Sequence, residues 1–118
     1  MALKFEDLIV WRESKSLTIE VFRLYEKNMN FSFKDQIQRA CVSIMNNIAE
    51  WYDRETEIDR KRFFVIAKWS CAEVRSMLVL SLELSYISVS DYEKLIKNCF
   101  WISKMLYSLI QKIKSKAE

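Results

Sequence analysis

The stretch SIMNNIAEWYDRE, Ser43 to Glu55, sets a serine, two asparagines and a glutamate inside a segment that otherwise reads as a core helix. At 100° per residue, Arg39, Ser43, Asn46, Glu50 and Arg54 gather on the face opposite Ile44, with Asn47 at its border. Such a face could serve catalysis, a polar network between helices, or the grip on a partner. Catalysis fits worst: the chain has no histidine, no cysteine beside a base, and no paired carboxylates on this turn. A solvated helix face with a Glu50–Arg54 pair, worth a few tenths of a kcal/mol, is the plainest alternative.

Glu73 favours the network. On its own helix it is flanked by Ile66, Trp69, Ser70, Met77 and Leu80, and a carboxylate buried there needs a donor because burying it unpaired is costly. Arg39 or Asn47 are the donors expected, so Arg39, Ser43, Asn47, Glu50 and Glu73 form a candidate structural polar network. Cys41, Cys71 and Cys99 are far apart, with no CxxC pair. Metal-ligand spacing is absent, and each lies on or beside an apolar stripe, as a small buried hydrophobe would. No cofactor is expected.

The elements that position these residues follow from composition and period. The chain has 118 residues, no glycine and no proline, so neither of the two strongest breakers interrupts it. With 51% hydrophobic and 30% charged residues it reads as one all-helical globular domain over residues 1–118. A net charge of +3 does not by itself indicate nucleic acid. The N-terminus is charged from Lys4 onward, unlike a signal peptide, and the most apolar stretch carries Lys68, Glu73 and Arg75, which argues against a membrane span. A cytoplasmic protein with no membrane partner is expected.

Four helices are predicted. The first runs from about Asp7 to Lys27, with Val10, Trp11, Leu17, Thr18, Val21, Phe22 and Tyr25 on one face. Ser32 with Asp35 resembles a capping box opening the second, which runs to about Asp53 along Ile37, Cys41, Ile44, Ile48 and Trp51. Thr56 with Asp59 caps the third, about Glu57 to Tyr86. Ser90 with Glu93 opens the fourth, which ends among Lys112, Lys114 and Lys116. Short connections predict an antiparallel up-down-up-down four-helix bundle.

The third helix carries more apolar surface than a bundle core requires. Phe63, Ile66, Ala67, Ser70, Val74, Met77, Leu78 and Ser81 serve one core face, yet Val65, Trp69, Ala72, Val79 and Leu80 lie opposite. On the fourth helix Trp101 and Met105 also point away from the core stripe. Trp69, Leu80, Trp101 and Met105 are therefore candidate contacts for self-association into a homo-oligomer.

The chain also resembles the four-helix-bundle family encoded by intervening sequences within bacterial 23S rRNA genes. The landmarks are FEDLIVW at 5–11, QIQRACVSIMNNIAE at 36–50, FFVIAKWSCAEV at 63–74, and LELSYIS followed by YEKL. Gln36, Arg39, Ala40, Val42, Ser43, Ile44, Asn47, Ile48, Ala49 and Glu50 match the family pattern Q-L-R-R-A-A-V-S-I-P-S-N-I-A-E-G. Phe63, Ala67, Ser70, Ala72 and Glu73 match F-L-x-x-A-L-G-S-L-A-E-L. The chain departs from these patterns with Met45 in place of proline, and with Trp51, Trp69 and Ser85 in place of glycine.

The resemblance implies a ring-like assembly, typically a homopentamer, with no enzymatic activity and RNA binding as the usual proposal. A related branch is the accessory protein of diversity-generating retroelements, whose pentamer binds a reverse transcriptase and its template RNA. Structured RNA and a reverse transcriptase are thus the partners it implies. Arg60, Lys61 and Arg62 opening the third helix, and Lys112, Lys114 and Lys116 closing the fourth, are candidate nucleic-acid contacts, although Asp53, Glu55, Glu57 and Asp59 bring the local charge near zero and a solvated helix start also explains the first three. A scaffold oligomer that binds protein and makes no RNA contact fits the apolar faces equally well.

Overall fold

A computed structural model describes the backbone of residues 4–117 and the side chains of residues 4–113; the side chains of Lys114 and Lys116 lie outside it. A 3₁₀ turn, Phe5–Asp7, precedes α1 (Ile9–Tyr25), α2 (Phe31–Asp53), α3 (Glu57–Glu83) and α4 (Val89–Ala117). No strand occurs among the described residues. The four helices form a bundle measuring 46 × 23 × 23 Å. Its long axis is what helices of this length, rising 1.5 Å per residue, would set.

The helix ends show which local chemistry prevails. α1 starts at Ile9 because Leu8 is extended (φ −72°, ψ 129°) after the 3₁₀ turn, so the first helix is shorter than its apolar period suggests. α2 is capped by Asn30, not Ser32: the Asn30 side chain accepts the Phe33 N–H at 3.1 Å, which leaves Ser32 inside the first turn. Thr56 caps α3, accepting the Asp59 N–H at 3.2 Å. α4 opens at Val89, before Ser90, because the Ser88 hydroxyl accepts the Asp91 N–H at 3.0 Å.

α3 ends at Glu83, short of Tyr86, in a paired reverse closure. The Tyr86 N–H reaches back to the Ser81 carbonyl at 2.8 Å and the Ser85 N–H to Leu82 at 3.1 Å. This closure needs a left-handed residue, and Ser85 supplies it at φ 58°. Glycine would adopt that angle freely; a serine holds it against steric resistance.

The core is built from the predicted stripes. Leu17 and Val21 of α1, Ile37, Ile44 and Ile48 of α2, Val74 and Leu78 of α3, and Leu95, Ile102 and Leu106 of α4 are all fully buried. Two stripe assignments shift. Phe64 is the buried aromatic at the start of α3, with Phe63 and Ile66 only half-buried, and Phe22 is exposed on α1. Each end of the bundle holds an aromatic contact. Tyr25 stacks near Phe33 (6.1 Å), which meets Tyr86 edge-on (5.2 Å); at the other end Trp51 stacks on Phe64 at 4.8 Å. Trp51 thus spends its bulk inside the chain. Tyr25 also crosses the core, donating its hydroxyl to Ser81 Oγ at 2.5 Å.

Partners along facing helices follow one another in opposite order. Gln36, Ser43 and Trp51 of α2 meet Glu73, Ser70 and Phe64 of α3. Lys68 and Arg75 of α3 lie over Tyr107 and Phe100 of α4.

Candidate functional site

The polar face of α2 divides into a small inward cluster and a set of surface pairs. Ser43 Oγ and Ser70 Oγ lie 2.8 Å apart across the α2–α3 contact, and Asn47 Nδ2 donates to the Ser43 carbonyl (2.8 Å) and hydroxyl (3.1 Å). Ser70 is the member that the α2 pattern alone could not supply. The remaining three residues of the expected network do not join it. Arg39 is exposed and pairs with Asp35 one turn earlier at 2.8 Å, while Glu50 pairs with Arg54. Such exposed i,i+4 pairs contribute a few tenths of a kcal/mol.

Glu73 is exposed, not buried, and its partner is neither Arg39 nor Asn47 but the Gln36 amide, at 3.5 Å. The physical reason is plain in its neighbours. Trp69 and Leu80, two of the apolar residues that suggested burial, are themselves on the outward side of α3, 69% and 47% exposed. Apolar neighbours signal burial only where another element covers them.

Several of the outward apolar residues line two surface depressions. One is a groove of about 530 Å³ between the start of α1 and the second half of α4, lined by Leu8, Ile9, Trp101, Met105 and Leu109. The other is a smaller depression of about 360 Å³ on α3, where Ile58, Val65 and Trp69 sit beside Lys61 and Arg62. Trp101 is 49% exposed and Met105 half-buried.

Of the candidate cations, Arg60 is occupied within the chain. It donates to the Arg54 carbonyl at 2.9 Å, pairs with Glu57 at 3.3 Å and lies over the Trp51 ring. Arg62 and Lys112 are exposed and Lys61 half-buried.

The three cysteines are buried in the core and free. Burial, with Cys71 close by, pushes the Cys41 thiol up to about 12. Cys71 donates to the Cys99 carbonyl at 3.3 Å. Contact with the Cys71 thiol, and then burial, raise the Cys99 thiol. The Cys41 and Cys99 thiols, held protonated, are poor nucleophiles and poor ligands, while the hydrogen bond with Cys99 lowers the Cys71 thiol. Among the described residues no cluster of His, Cys, Asp and Glu could hold a metal, and no helix is long and apolar enough to cross a membrane.

Comparison with known proteins places the fold. No curated protein matches the chain. The crystal structure of a protein of unknown function from the S23 ribosomal protein family of Bacteroides thetaiotaomicron superposes with a TM-score of 0.83 at 26% identity, covering 86% of this chain and 98% of that one. The profile of the 23S rRNA-intervening sequence protein family matches residues 6–108. Neither description names an enzymatic activity. A match across most of the length, on a bundle of the same shape, assigns the chain: it belongs to the 23S rRNA-intervening sequence protein family.

Proposed function

We propose that the chain is a non-catalytic accessory protein of the cytoplasm, one antiparallel up-down-up-down bundle domain that assembles as a ring-like homopentamer and binds structured RNA. A reverse transcriptase is a further partner that fits such a role. The opposite order of partners along α2 and α3, and along α3 and α4, supports the antiparallel topology.

The observation that carries the assembly is the apolar surface left outward on two separate sides: Trp69 and Leu80 on α3, and Ile9 and Trp101 on α1 and α4. Two different apolar surfaces suit a head-to-tail contact, which closes into a ring when the rotation permits. The register supports RNA contact. Lys68 lies over Tyr107 and Arg75 over Phe100, so one further heptad brings Lys61 and Arg62 level with the turn that carries Lys112. Lys61 and Arg62 would then share one end of the bundle with Lys112, fifty residues on in the chain, and a ring would repeat them around one face.

Light scattering at micromolar concentration tests the assembly, with a monomeric mass overturning it. Filter binding to a structured RNA tests the partner. Roughly six to ten phosphate contacts on a ring would lose about 10³–10⁵ in affinity between 50 and 200 mM salt, with little sequence preference. Replacing Lys61 and Arg62 by Gln should weaken binding and leave the mass unchanged. A stable oligomer that binds RNA no better than a neutral protein does would leave the scaffold reading in its place.

A further inference from the structure

Neither the cation clusters nor the apolar surfaces use the groove between α1 and α2. It is an open groove of about 540 Å³, and most of the residues that line it are polar. On its α2 wall Gln38, Val42 and Asn46 stand on successive turns, with Arg39 and Ser43 in the next row. Across from them is Phe22 of α1, 42% exposed and not stacked on another ring among the described residues.

The charge in this groove is balanced, which narrows what it can hold. Arg39 and Asp35 both line it and pair at 2.8 Å, so no net positive charge is left to draw in a phosphate or a carboxylate. The amides remain. Asn47 is engaged with Ser43, and that bond fixes the wall. Gln38 and Asn46 have no hydrogen-bond partner in the protein among the described residues, and each offers a donor and an acceptor side by side. An exposed aromatic ring beside paired donor–acceptor groups, with no net charge, matches a flat neutral ring that has a mixed hydrogen-bonding edge.

We infer that this groove takes one unpaired nucleobase of a single-stranded or looped RNA, stacked on Phe22 and read at its edge by Gln38 and Asn46. The inference rests on the RNA reading above and adds a second mode to it. Cations at the end of the bundle engage phosphates and position the strand, while the groove engages a base, which only unpaired RNA can present. Duplex RNA keeps its bases stacked and cannot enter.

The test uses the whole protein, a labelled hairpin RNA with a single-stranded loop, and a fully paired duplex of the same stem. The parent should bind the hairpin more tightly than the duplex. Stacking on an aromatic residue is worth about 1–3 kcal/mol per base, so Phe22→Ala should weaken hairpin binding roughly 5- to 150-fold and leave duplex binding unchanged. Phe22→Trp should restore it. Asn46→Ala, at an exposed position outside the core, should also weaken the hairpin alone, which separates loss of a contact from loss of fold. If hairpin and duplex bind equally and neither variant changes either, the groove inference is overturned and the phosphate reading stands. If the parent binds neither RNA, both are overturned.

Discussion

Ser85→Gly should stabilise this protein, because the link between α3 and α4 demands a conformation that serine resists. Ser85 sits at φ 58° so that the Tyr86 N–H can reach Ser81 and its own N–H can reach Leu82. The left-handed region costs an L-residue roughly 1–2 kcal/mol. Glycine removes that cost and adds back roughly 0.4–1 kcal/mol through the greater freedom of its unfolded chain. Ser85 is exposed, so little packing is lost with its hydroxymethyl group. The net expectation is a gain of about 0.5–1 kcal/mol, or a melting temperature higher by about 2–5 °C at this chain length. Thermal and urea unfolding followed by circular dichroism, at one fixed protein concentration, would measure it. Ser85→Val is the control: a β-branched side chain tolerates positive φ less well and should lower the midpoint. A Ser85→Gly variant less stable than the parent would refute the reasoning, since it would mean that the turn is held by something other than backbone geometry.

Four further outcomes are expected. Tyr25→Phe strands the buried Ser81 hydroxyl and should cost about 1–3 kcal/mol, whereas adding Ser81→Ala should recover much of it; additive costs in a double-mutant cycle would show no coupling across the core. Trp69, 69% exposed, leaves roughly 100–170 Å² uncovered, so Trp69→Ala should loosen the oligomer on the order of a hundredfold while leaving the fold of the single chain intact; an unchanged mass on dilution would remove Trp69 from the contact. The Cys41 thiol is raised from 9.0 to about 12, so the stability it contributes is whole below about pH 9 and is lost as pH rises from there towards 12, about 4 kcal/mol in all. Urea midpoints should therefore fall through that window, less steeply in Cys41→Ala. Finally, Glu73→Ala and Glu73→Gln should each lie within about 0.5 kcal/mol of the parent, and a loss of several kcal/mol would mean that an assembly buries Glu73.

The helices and the inward face of each were legible in the sequence because local terms decide them. The apolar period of Ile37, Cys41, Ile44 and Ile48 names a buried stripe whichever element covers it, and the same holds for Leu95, Cys99, Ile102 and Leu106. Thr56 caps α3 through a contact three residues away, which any reader of the chain can find. Where two caps competed locally, as Asn30 and Ser32 did, the spacing alone chose wrongly.

The candidate sites depended on what stands across from each residue, and period carries no information about that. Glu73 and Trp69 are neighbours on the same outward side of α3, and only the placement of the other three helices shows that this side is uncovered. Ser43 needed Ser70 from another helix, twenty-seven residues on, to become part of a cluster. Arg60 has its Glu57 partner one turn earlier on α3, within reach of sequence spacing, but only the folded link between α2 and α3 adds the Arg54 carbonyl and the Trp51 ring. Phe22 reads as core by its spacing, but α1 meets α2 along Thr18 and Cys41, and that contact leaves the ring beside a polar groove. Helical spacing determines the direction in which a side chain leaves its own axis; whether it then meets protein, solvent or a partner is decided by packing between helices far apart in sequence.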